Sequence, residues 1–273
     1  MARVARRLLH GFVHDDRAYR RGTTPTERSE DVTPTERSED VTPTGPGEGM
    51  TPTGRSGETA RVHVPDAVRA RRAQRSFDPA APVPRAVLRD LVDLASRAPS
   101  AGASQGWDFL VLSRSHDVAR YWEVTTEAGR APDRWLRGLR TAPALVVAWS
   151  REEAYRERYA LVDKASGDHA PVDLAARWPV PYWHVDTGMA VALLLLGAED
   201  AGLGACPFGV PTARVDAVRA AFGVPPDRTP VMAVALGTPA PHPDGPPPGG
   251  PRPSRRRPLE DVAHDGRFGT PLG

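Results

Sequence analysis

Residues 24–32 read TPTERSEDV, and residues 33–41 repeat them without change. The leading Thr-Pro-Thr returns at Thr42 and at Thr51 before the pattern drifts. A period built from Thr, Pro, Ser, Glu and Gly buries too little apolar surface to offset the entropy of the chain that would have to be ordered. Solenoid repeats are longer and carry core positions in every copy, which these lack. The core of this 273-residue chain must therefore come from the residues after the repeats, and order is expected to begin near Val64-Pro65. We read residues 1–63 as a disordered tail and residues 64–269 as one domain. Within that domain residues 242–253, nearly all Pro and Gly, form a loop or linker.

Beyond the tail, hydrophobic periodicity suggests helices over Asp66–Arg75, Pro84–Arg97, Glu152–Leu161, His184–Ala201 and Pro211–Phe222. Pro99 closes the second of these. Short strands are expected at Asp108–Leu112, Ala144–Trp149 and Pro230–Leu236, the middle one of the fully buried type. Trp183, His184 and Asp186 open the most apolar helix, which needs burial on most of its sides. Long helices around a few strands, without regular alternation, indicate an α+β fold instead of a doubly wound sheet.

Composition excludes several classes of function. The formal net charge is only +2, and Arg and acidic residues are interspersed, so no nucleic-acid surface is expected. The longest apolar run, Met189 to Leu196, is far short of the ~20 residues a membrane helix needs. The basic start has no convincing signal peptide behind it, and a lone Cys206 forms no intrachain disulfide, so a cytoplasmic setting is expected. His10 and His14 have a metal-like spacing but no third ligand, and no metal site is expected.

What stands out is a set of segments suited to a flat, phosphorylated ligand. Arg71, Arg72 and Arg75 lie in Arg-Arg-Ala-Gln-Arg-Ser-Phe, where a helix would put Arg71 and Arg75 on one face. Guanidinium groups donate bidentate bonds to phosphate, although a solvated basic face is the plain alternative. Pro99–Gly106 carries Ser100 and a run of small residues before Gln105, which lets backbone groups approach a ligand closely. Gly202–Gly209 reads as a Gly-rich turn containing Cys206, Pro207, Phe208 and Gly209. It comes after a helix, and Pro207 occupies the third glycine's place, so it is no dinucleotide fingerprint. A lone Cys is most simply a small buried hydrophobe.

In this order, with the late Arg-Arg-Pro-Leu-Glu, these marks resemble the FMN-dependent nitroreductase family over Val64 to Phe268. The resemblance implies a sheet-and-helix sandwich forming an intertwined homodimer, with FMN at the subunit interface and NADPH or NADH as electron donor. It implies reduction of nitroaromatic, quinone or enone-type acceptors, with the flavin and no protein residue carrying the chemistry. By position, Arg71, Arg72 and Arg75 match phosphate and ribityl contacts, and Ser100 and Gln105 belong to the loop near the ring. Pro207, Phe208 and Gly209 match the backbone approach to the ring edge, and Arg255 or Arg256 the late basic residue at the phosphate. Ala73 and Ala103 stand where Ser and Asn are usual, and each loses a polar contact to FMN. Gly106 replaces the usual Pro, which implies a looser loop. Two other readings stay open. One is a flavin-binding relative with another role, as a dehalogenase, a deazaflavin-dependent reductase or a non-catalytic carrier. The other is an interaction protein working through its repeat tail.

Overall fold

The computed structural model describes residues 63–127, 129, 131–161, 173–240 and 256–273. The chain divides into two units, Met1–Gly57 and Glu58–Gly273, and all described residues belong to the second. The repeat tail, His10, His14, the 242–253 segment and Arg255 lie outside the described residues.

The described elements, in chain order, begin with α1 (Val64–Ala70), α2 (Arg85–Ser96) and β1 (Trp107–Leu112). Next come α3 (Ser115–Thr125), α4 (Arg134–Leu139), β2 (Ala144–Ser150), α5 (Glu152–Tyr159) and α6 (Leu174–Arg177). The series ends with α7 (Tyr182–Asp200), β3 (Gly204–Phe208), α8 (Val215–Phe222) and β4 (Thr229–Gly237). The four strands form one antiparallel sheet in the order β1-β2-β4-β3. The architecture is α+β, as the sequence implies.

Every residue of β2 is buried, which explains its unbroken apolar run: alternate side chains enter different cores on the two faces. On one face Val146 and Val234 pack against Leu88 and Leu91 of α2 and Ala190, Val191 and Leu194 of α7. On the other, Leu145, Val147 and Ala235 pack against Val118 and Tyr121 of α3, Leu139 of α4 and Val218 of α8. Among the described residues no helix is long and apolar enough to cross a membrane.

Three expectations are corrected. The first helix stops at Ala70, and Arg71 has extended backbone (φ −50°, ψ 127°), so Arg71–Arg75 are not helical. That segment instead runs beside β3, with Ala73 bridging Ala205 and the Gln74 amide donating to the Ala205 carbonyl at 2.9 Å. Tertiary pairing with a free strand edge outweighs a modest helix preference. Second, the expected Gly-rich turn is mostly a strand, β3. Pro207 has no N–H to give a ladder, but β3 ends the strand order, where a missing donor is tolerated. Third, α3 and α4 occupy a stretch where no element was expected.

At the end of β2 the buried Ser150 hydroxyl lies 2.8 Å from His184 Nδ1. Burial lowers the His184 pKa below its ordinary 6.5, and the charge of Glu152 opposes that shift. The unfolded chain therefore takes up this proton more readily than the fold does. The contribution is fully present above about pH 6.5 and is lost as pH falls through the lowered folded value. Urea unfolding between pH 7.5 and 5 should show wild type losing stability with acid faster than His184→Gln. Parallel pH profiles for the two proteins would rule this origin out.

Candidate functional site

The segment after α1 puts two cations on the outer edge of the sheet. Arg75 reaches the Cys206 thiol with its side chain, and the charge of Arg71 bears on the same group. Burial holds that thiol above the ordinary cysteine range, while the two arginines pull in the opposite direction. Cys206 is thus a buried neutral group and no activated nucleophile. No carboxylate pairs with Arg71 or Arg75 among the described residues. Two unpaired guanidinium groups directed at one spot make a ready site for an anion of more than one charge. The Arg75 backbone is held from the α4 side: a Cβ on Gly138 would meet its carbonyl oxygen at 2.0 Å. Arg72 turns away from this site. Its Nη1 donates to the carbonyls of Ala70 and Arg71 at 3.0 Å each, and to that of Arg69, so it caps the end of α1.

Beyond Cys206, Phe208 ends β3 in an aromatic cluster. Trp122 stacks on it at 5.5 Å between centroids with an interplanar angle of 15°, and Trp135 meets it edge-on at 6.1 Å. These rings, with Tyr121, Gly209 and Arg214, line a cavity of about 680 Å³ between α3, α4 and the end of β3. The Tyr121 hydroxyl and the Trp122 indole N–H are buried without a hydrogen-bond partner among the described residues. Pro207 is half-buried, and a Cβ on Gly209 would meet nothing, so the backbone is open to approach there.

The small-residue loop is built differently. Asp186, 1% exposed on α7, accepts from the Ala101 amide at 2.8 Å and from the Tyr155 hydroxyl at 2.7 Å. Burial and this carboxylate together raise the Tyr155 pKa, so the phenol stays a donor. Arg158 Nε donates to the Gly102 carbonyl at 2.7 Å, and the Ser100 hydroxyl accepts from the Gln105 amide at 2.9 Å. Ala103 and Gln105 sit at φ +58° and +49°, a left-handed conformation that costs non-glycine residues roughly 1–2 kcal/mol each. Such strain persists only where the surroundings over-determine it, as Asp186, Tyr155 and Arg158 do here. The looser loop expected at Gly106 is not what the structure shows. A Cβ there would meet the Arg151 carbonyl at 2.7 Å and the Tyr155 ring at 2.5 Å, so glycine permits a closer fit. Gln105 is exposed on a second, smaller cavity beside Arg151 and Arg228.

Reasoning from sequence found the arginines, the loop and the end of β3, but not how far apart they are. The loop precedes β1 and the arginines flank β3, at opposite edges of the sheet. Three strand spacings across and the run from Thr229 to Leu236 along the sheet separate Trp107 from Ala205, roughly 25 Å. Arg256 is exposed at the start of the last described segment. The supports Asp186, Tyr155 and Arg158, and the cavity residues Tyr121, Trp122, Trp135 and Arg214, were not singled out as site residues. The adjacent aromatic pair Tyr121-Trp122 was the available signal. Among the described residues no group of three metal-ligating side chains occurs.

Comparison with known proteins bears on the family and the fold. The Nitroreductase family model matches residues 68–238. A 4-nitrobenzoate reductase from Nocardioides sp. (strain LMS-CY) is 30% identical over 168 residues, covering 51% of this chain and 65% of that relative's length. A nitroreductase-like protein from Streptococcus mutans superposes with a TM-score of 0.55 at 20% identity, over 73% of this chain and 96% of the other. A protein from Exiguobacterium sibiricum, crystallised in complex with FMN, gives 0.55 at 21% identity over 76% and 98%. These structural likenesses concern the fold. With a family model spanning more than half of the chain, from α1 through β4, this protein belongs to the nitroreductase family.

Proposed function

We propose that the protein is an FMN-dependent NAD(P)H oxidoreductase that reduces nitroaromatic, quinone or enone-type acceptors and works as a homodimer. The observation that carries this reading is the pair Arg71 and Arg75, unpaired by any described carboxylate and gathered at Cys206 on the strand that leads to the aromatic cavity. The donor set suits FMN: two guanidinium groups for a phosphate dianion, and an open backbone at Gly209 where a planar ring can approach. The name of the Nocardioides relative, a reductase of a nitroaromatic, supports the choice of acceptor.

In this reading Arg71 and Arg75 hold the phosphate, joined by Arg256 and Arg255 from the C-terminal segment. Arg72 contributes by fixing the end of α1, where the arginine segment begins. Pro207, Phe208 and Gly209 offer main-chain groups to the ring edge. Ala73 and Ala103 bring no side-chain hydrogen bond, so more of the affinity rests on the two arginines. When bound, FMN would supply the redox chemistry that links NADPH or NADH to the acceptor. The protein's own work is to bind, orient and exclude water, which accounts for a site without an acid–base dyad.

Ser100 and Gln105 come to the ring from a second copy. The roughly 25 Å between Trp107, just after the loop, and Ala205, beside the arginine segment, favours that arrangement. So does the outer face of α7, where Val185 is 42% and Met189 36% exposed, beside exposed Val64 and Val68 of the adjoining α1. A helix face this apolar gains stability when a second copy covers it.

Three measurements test the reading. Anaerobic NADPH or NADH should bleach the yellow protein, a quinone or nitroaromatic should restore the colour, and steady-state double-reciprocal plots should be parallel. Colour that persists for minutes under both nicotinamides would sink the reductase assignment. Arg75→Ala should weaken FMN binding by about 2–4 kcal/mol, with riboflavin, which has no phosphate, much less affected. Equal losses for the two ligands would mean that Arg75 acts through the fold. Light scattering should give a dimer mass at micromolar concentration, and Met189→Glu should dissociate it and release the flavin. A wild-type monomer that retains flavin would exclude the shared site.

A further inference from the structure

We propose that the cavity between α3, α4 and the end of β3 binds a planar aromatic carboxylate, with Arg214 recognising its charge and the Tyr121–Trp122–Phe208 cluster its ring. The proposal deepens the reductase reading and rests on it only in identifying this ligand as the electron acceptor; the binding site itself stands on shape, unused donors and charge.

Shape and lining come first. The cavity measures about 680 Å³, within the range of small-molecule sites, and its walls include Trp122, Trp135 and Phe208. Stacked and edge-on rings around Phe208 leave indole and phenyl surface facing a space suited to another flat ring. The second feature is a set of unused donors. Tyr121 is 0% and Trp122 is 7% exposed, and neither the hydroxyl nor the indole N–H has a partner among the described residues. A buried donor without a partner costs free energy, and both of these belong to residues that line the cavity. Both are donors in their ordinary state, since burial raises the Tyr121 pKa and keeps the phenol protonated.

The third feature decides the charge of the ligand. Arg214, half-buried at the turn Thr212–Arg214, lines the cavity and pairs with no carboxylate among the described residues. Two carboxylates, Glu127 and Asp133, also line it, and they must be weighed against it. Both are exposed, and Asp133 already accepts from the Leu136 amide at 2.8 Å as the cap of α4. Exposed charges are screened by water and salt, whereas a half-buried guanidinium keeps more of its field. The balance favours an anion whose carboxylate meets Arg214 while its ring enters among the aromatic side chains. A reducible aromatic that also carries a carboxylate is therefore preferred over a neutral analogue of the same size.

The test uses the flavin-loaded full chain without nicotinamide, titrated calorimetrically with 2-naphthoate and its neutral isostere 2-naphthamide. Neither probe has a nitro or quinone group, so binding is read apart from turnover. Naphthoate should bind about tenfold or more tightly than the amide, the effect of one charge-assisted contact. Arg214→Gln should remove that preference while leaving amide binding in place. Trp122→Phe, which keeps a ring and deletes the N–H, should weaken both probes. Equal affinity for the two probes in wild type, or an equal loss of both in Arg214→Gln, would overturn the proposal. So would naphthoate that binds only the flavin-free protein, since the flavin would then fill the cavity. NADPH-dependent reduction of menadione, a quinone without a carboxylate, reports on the reductase reading separately. Naphthoate selectivity without menadione reduction would leave the site standing and remove that reading. Menadione reduction without naphthoate binding would remove the site alone.

Discussion

The central strands β2 and β4 must be kept from water on both faces, and the rest of the molecule is arranged around that need. Leu145 and Val147 point to one core, Val146 and Ala148 to the other, and no side of the sheet can be left wet. Burial of this kind is the dominant favourable term in folding, and it obliges helices to cover both faces. Once α2 and α7 take one face and α3, α4 and α8 the other, only the two sheet edges and their ends remain for polar work. The loop before β1 and the arginine segment beside β3 occupy those two edges. Their separation is thus a consequence of the core.

The two halves of the candidate site are stabilised by opposite means. The loop at Ala101–Gln105 is fully determined by its own chain: a buried Asp186, the Tyr155 hydroxyl, Arg158 and the close approach at Gly106. Those contacts offset two residues held at positive φ, and they leave little freedom for the loop to adapt. The arginine half is determined mainly in its backbone, by pairing with β3 and by the approach of Gly138. Its two guanidinium groups have no carboxylate partner among the described residues, and like charges gathered together are relieved by a bound anion. One half is a rigid wall and the other a charge waiting for its counter-charge.

This division suits the reading proposed for this member of the nitroreductase family, in which a cofactor carries the chemistry. The buried groups that might have suggested catalysis have structural explanations. Burial keeps the Cys206 thiol neutral, and Asp186 is committed to the loop and to Tyr155. In the proposed reading selectivity falls to the residues that line the approach to the site, among them the cluster around Phe208 and Arg214.

The sequence alone determined the α+β class, the apolar strands and helices, and the residue types of the site, because these depend on local periodicity and side-chain chemistry. The doubly buried β2 and the helices α2 and α7 were legible for that reason. Tertiary structure decided the rest. Arg71–Arg75 left the helical pattern because a sheet edge offered hydrogen bonds to it, and Gly204–Phe208 became a strand because an edge position tolerates Pro207. Tyr121 and Trp122 became part of a cavity only because folding brought α3 and α4 beside Phe208 at the end of β3, a contact between segments far apart in the chain. Asp186 is the plainest case. Its position in an apolar helix was visible in the sequence, but the amide 85 residues away that gives it a purpose was supplied only by folding.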